Sequence, residues 1–141
     1  MFVQNREASR GFFFDVWRKY STNVGLEPLE QLVLGVILEH SEYHKYLDNE
    51  PETVDLDFGP ESGFENPFLH MGMHIAIREQ VQADRPAGIR QLFLSLSEIR
   101  QDRHKVEHEM MECLGRMLWQ AQMNNRLPDE NDYMDCIRKL G

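Results

Sequence analysis

All six histidines of this chain stand in pairs four residues apart: His40/His44, His70/His74 and His104/His108. No other feature constrains the fold as much. Residues four apart on an α-helix point the same way, with Cβ atoms about 6 Å apart. Two imidazoles so placed can converge on one metal ion, as on zinc helices with two histidines one turn apart. Three such pairs call for three helical stretches. Helical bundles build metal sites by projecting such pairs inward from facing helices.

Hydrophobic periodicity extends the helical reading to nearly the whole chain. From about Glu7 to Tyr20, Phe13, Trp17 and Tyr20 share a stripe, with Phe12 and Val16 beside it. Pro28 suits a first helical position, and Leu29, Leu32, Val33, Val36 and Ile37 follow at helical spacing. The run Leu32–Leu38 is apolar on nearly every face, which predicts a central helix ending near Glu39. Ser41 is the expected N-cap of a short second piece through Tyr46. Asn66-Pro67 opens a helix to about Ala83, and Ile89, Leu92, Phe93 and Leu96 mark the next. Asp102 is the expected cap of the longest helix, to about Met123. Down it run the stripes Val106, Met110, Cys113, Met117, Ala121 and Met111, Leu114, Leu118. Pro128-Asp129 starts a final short helix with Tyr133, Met134 and Ile137.

The expected architecture is therefore an all-α, single-domain helical bundle over residues 1–141, with four principal helices and short ones. Residues 49–65 read as a long loop, with two Pro, two Gly and many acids. The chain has no Lys or Arg between Tyr46 and Ile77. That window holds Asp48, Glu50, Glu52, Asp55, Asp57, Glu61 and Glu65, so seven of the nine excess negative charges sit there. The net charge of −9 argues against a grip on nucleic-acid phosphates. The longest apolar run falls far short of the roughly 20 residues that span a bilayer. Cys113 and Cys136 lack CxxC spacing and read as buried small hydrophobes in a reducing, cytoplasmic setting. Ser95 and Ser97 lie on a regular helix with no base implied, and no glycine-rich phosphate loop is present.

The candidate metal ligands are His70, His74, His104 and His108, with His40 and His44 completing or supporting the site. His104 and His108 continue the line to Met111 and Leu114. His70 and His74 lead to Ile77 and Val81, and His40 follows Val33 and Val36. All three pairs are thus expected on the core side of their helices. A helix break at Ser41 puts His40 and His44 on separate faces and ranks that pair last. Glu107 and Glu112 stand three and four residues from a histidine, and can ligate a metal or hold a ring in its ligating tautomer. Imidazole and carboxylate donors suit a divalent transition metal, zinc or iron first, with manganese, nickel and cobalt open. Arg78, four residues after His74, needs a carboxylate partner, either Glu107 or Glu112.

At these residues the sequence resembles a family. The matching stretches include Phe12-Phe13-Phe14 with Trp17-Arg18-Lys19-Tyr20, Val36-Ile37-Leu38-Glu39-His40 with Tyr43-His44, and Asn66-Pro67-Phe68-Leu69-His70 with His74. Ala76-Ile77-Arg78-Glu79-Gln80, Asp84-Arg85-Pro86 and His104 through Gln122 follow. The family is the bacterial one known as domain of unknown function 1841. The resemblance implies a small soluble bacterial protein and no particular reaction. Two functions stay open. One is a metal-binding bundle acting as a metal-dependent enzyme or sensor. The other is a non-enzymatic interaction module with a structural, metal-free His–Glu–Arg network. A protein partner or a second copy of the chain is left undecided by the sequence.

Overall fold

A computed structural model describes residues 6–54, 56, 58 and 66–141 of the chain. Eight α-helices and one 3₁₀ turn follow one another, with no strand among the described residues. They are α1 (Arg6–Ser21), α2 (Pro28–Leu38), the 3₁₀ turn Ser41–Tyr43, α3 (His44–Leu47), α4 (Glu50–Thr53), α5 (Pro67–Ala83), α6 (Ile89–Arg100), α7 (Arg103–Met123) and α8 (Glu130–Arg138). The all-α bundle read from the sequence is what the chain forms. It divides into two compact units, residues 1–75 and 76–141, with the division inside α5.

The first unit buries Phe13, Phe14 and Val16 of α1 against Val33, Val36 and Ile37 of α2 and against Phe68, Met71 and Ile75 of α5. Phe68 meets both Phe13 and Phe14, with ring centroids 5.6 and 5.8 Å apart. The buried face of α1 is rotated from the stripe expected. Tyr20 is exposed and Trp17 half-buried, because the indole N–H reaches out to Asp48 Oδ1 at 2.8 Å. Leu29 and Leu38 are likewise exposed, so α2 is less enclosed than its composition suggested. Its start is held by a capping box: the Glu27 N–H donates to the Glu30 carboxylate at 2.9 Å, and Glu30 also takes Lys19 at 2.7 Å. The Lys19 ammonium holds the Glu30 carboxyl below its ordinary range.

Two local expectations fail. Ser41 is no N-cap: His40 holds that position, and Ser41–Tyr43 winds as 3₁₀ before α3 begins. The stretch 49–65 is not loop throughout, since α4 forms at Glu50–Thr53. Pro51 sits in its first turn, where a fixed φ costs nothing and no N–H is needed. The acids Asp55, Asp57, Glu61 and Glu65 lie outside the described residues. Arg10, buried on α1, fixes the end of α4. Its Nη1 donates to the carbonyls of Thr53, Val54 and Leu56 at 3.1, 3.1 and 2.8 Å. Its guanidinium lies 4.8 Å from the Phe68 ring centre.

In the second unit α7 is the central element. Val106, Met110, Cys113, Met117 and Ala121 are buried along it, as are Met111 and Leu114, whereas Leu118 is exposed. Asp102 caps it, accepting from the Lys105 N–H. Ile89, Phe93 and Leu96 are the buried face of α6. Gly88 precedes α6 at φ 95°, a left-handed conformation that glycine adopts without steric cost. Asp84 Oδ1 accepts from the Gly88 and Arg90 N–H groups, both at 3.1 Å. On α8, Tyr133, Met134 and Ile137 face inward, and the Tyr133 hydroxyl donates to Gln80 Oε1 at 2.6 Å. Four of the five methionines from Met110 to Met134 are buried, which makes the stripe core; Met123 is exposed.

The cysteine expectation is overturned. Cys113 and Cys136 are joined to each other, tying α7 to α8 across a Cα separation of 5.8 Å. With both sulfurs bonded, the ground for a reducing compartment falls away. No helix of the described residues is long and apolar enough to cross a membrane.

Candidate metal centre

Three of the six histidines cluster in the first unit. His40 follows the last turn of α2, and its Nδ1 lies 2.7 Å from the Val36 carbonyl oxygen. A carbonyl only accepts, so Nδ1 carries the proton. This is the arrangement that fixes a histidine for metal ligation through Nε2. His70 and His74 sit one turn apart on α5, placed there by the Asn66 cap. Its Oδ1 accepts from the Phe68 and Leu69 N–H groups at 3.0 and 3.2 Å. The His74 ring centre is 4.8 Å from that of His40 and 4.9 Å from that of His70; His40 and His70 are 5.1 Å apart. The Nε2 atoms of His70 and His74 approach to 3.2 Å. Two nitrogens bound about 2.0–2.1 Å from a tetrahedral ion stand roughly 3.3 Å apart. His40 and His74 are 2% and 0% exposed, and His70 is half-buried.

His44 behaves differently. Its Nε2–H donates to the Ile37 carbonyl at 2.9 Å, and its ring packs 4.5 Å from Trp17. The 3₁₀ turn between His40 and His44 breaks the helical register, so the two do not share a face. Tyr43, which spacing alone did not single out, stacks on His40 at 5.5 Å with ring planes 2° apart. It is also edge-on to His70 at 6.0 Å. Its position three residues after His40 is the signal that was there to be used.

In the second unit His104 and His108 face each other one turn apart on α7, with ring centres 4.4 Å apart. The expectation that every pair lies on a core face needs correcting: His104 is half-buried and His108 exposed. The buried stripe of α7 runs through Val106, Glu107 and Met110, a rotation away from the pair. Glu107 is 5% exposed and engages Arg78 in a fork: Arg78 Nε to Oε2 at 3.0 Å and Nη2 to Oε1 at 3.2 Å. Of the two partners foreseen for Arg78, Glu107 is therefore the one found. Glu112 is exposed.

These elements define a class: an all-α protein with close imidazole clusters and, in its second unit, a partly buried Arg–Glu pair. The chain matches the family described as Domain of unknown function (DUF1841) over residues 5–139 and belongs to it. No curated protein and no solved structure matches the chain.

Proposed function

We propose that His40, His70 and His74 of the first unit hold one divalent transition metal ion, zinc or iron first. The observation that carries this reading is the packing of His40, His70 and His74. Three imidazoles crowd one apolar interior, and His40 is anchored in its ligating tautomer. A buried imidazole usually satisfies itself against a carbonyl or carboxylate. Here three meet edge-on or tilted, with the His70 and His74 Nε2 atoms 3.2 Å apart, a spacing that a shared cation accepts.

Glu107 is engaged by Arg78 in the second unit. In this reading Glu107, Glu112, His44, His104 and His108 stay outside the coordination shell. Three imidazoles leave the fourth position of a tetrahedral zinc ion to another ligand, and half-buried His70 is the most exposed of the three donors.

Metal analysis of untagged protein tests the proposal. About one transition metal ion per chain is expected, lost in His40→Ala/His74→Ala while helicity is retained. Substoichiometric metal, unaltered by those substitutions, contradicts it. The forked Arg78–Glu107 pair favours one other reading, a metal-free interaction module with a structural polar network. In that case exhaustive chelation leaves the melting temperature unchanged. A metal-bound protein loses stability on chelation.

A further inference from the structure

We infer that the Cys113–Cys136 bond is a reversible thiol–disulfide switch that fixes or frees α8. The inference rests on the second unit alone and is independent of metal binding. The two sulfurs differ in access: Cys113 is 2% exposed in the core of α7, whereas Cys136 is half-buried on the nine-residue α8. Attack therefore falls on the Cys136 sulfur. A dithiol reductant as its thiolate bonds to Cys136, and Cys113 leaves as the thiolate and takes a proton. The second reductant thiol then displaces Cys136, leaving two protein thiols and one oxidised dithiol.

Reduction does not cost α8 its place. Tyr133, Met134 and Ile137 remain buried, Tyr133 still donates to Gln80, and Asp129 still caps the helix through the Asn131 and Asp132 N–H groups. With α8 docked, the two thiols stay adjacent, and an oxidant of the disulfide class rejoins them by the reverse exchange. What changes is the opening equilibrium. The bond closes a loop of 23 residues, and the chain-entropy account assigns such a closure a factor on the order of 300 in the unfolding equilibrium. Oxidised, α8 is a fixed wall of the second unit. Reduced, it is a docked helix that opens far more often.

Thiol counting and hydrogen exchange on the full chain test this. The protein purified without reductant should show no alkylatable thiol. Dithiothreitol under native conditions should release two, and oxidised glutathione should remove them again. Amides of residues 130–138 should exchange at least about ten-fold faster in the reduced protein, while those of α1 and α2 hold their rates. Cys113→Ser/Cys136→Ser should reproduce the reduced pattern. Two free thiols in the untreated protein overturn the inference. So does a bond that only denaturation makes reducible, which marks a permanent cross-link, and so do equal α8 exchange rates in the two states.

Discussion

Replacing Glu107 by alanine removes the carboxylate that faces Arg78. The pair is forked, at 3.0 and 3.2 Å, with the Glu107 side chain 7% and the Arg78 side chain 21% exposed. Breaking a buried pair by deleting one partner costs about 3–5 kcal/mol, because the other charge is left in a poor solvent. Arg78 keeps a fifth of its surface in water, which lowers the expected loss to about 2–3 kcal/mol. For a chain of this length that is a fall in melting temperature of roughly 6–12 °C. Calorimetry of Glu107→Ala, Arg78→Leu and the double variant Glu107→Ala/Arg78→Leu forms the assay. The double variant should be markedly more stable than the sum of the singles predicts, because it strands no charge. Single variants within about 0.5 kcal/mol of the parent refute the energetic argument, since surface changes alone do that much.

Three further outcomes follow from the first unit. Arg10→Met strands the carbonyls of Thr53, Val54 and Leu56 and should cost about 3 kcal/mol in a urea titration; a loss under about 1 kcal/mol contradicts the role given to Arg10. Glu30→Gln should narrow its stability gap to the parent as pH falls. The folded carboxyl is held low by Lys19, so its contribution is present above the ordinary carboxylate range near about 4.3 and lost as pH drops through the folded value. A gap that is flat with pH removes that argument. His44→Gln should leave metal content intact, since its ring serves Ile37 and Trp17; loss of metal in this variant would place His44 in the coordination shell.

The helices were legible because both signals that mark them are local. Hydrophobic spacing located α5, α6 and α7, and the caps Asn66 and Asp102 are used as read. The proximity of His70 to His74 and of His104 to His108 follows from helical geometry alone, so spacing sufficed. The disulfide did not follow, because a separation of 23 residues across two helices has no local signature. The α7 stripe was read one position too wide. A core face about 100° across buries Glu107 and leaves Leu118 and His108 toward solvent. Arg10 was missed since its partners are backbone carbonyls 43 to 46 residues away, which no side-chain pattern encodes.

The central claim is that the imidazoles of His40, His70 and His74 hold one metal ion. X-ray absorption spectroscopy on zinc-loaded, untagged protein addresses it most directly. The account predicts about three imidazole nitrogens at roughly 2.0–2.1 Å with the outer-shell pattern of imidazole, and one fewer in His40→Ala or in His74→Ala. A shell of water and carboxylate oxygen, or an imidazole count that neither substitution changes, contradicts it.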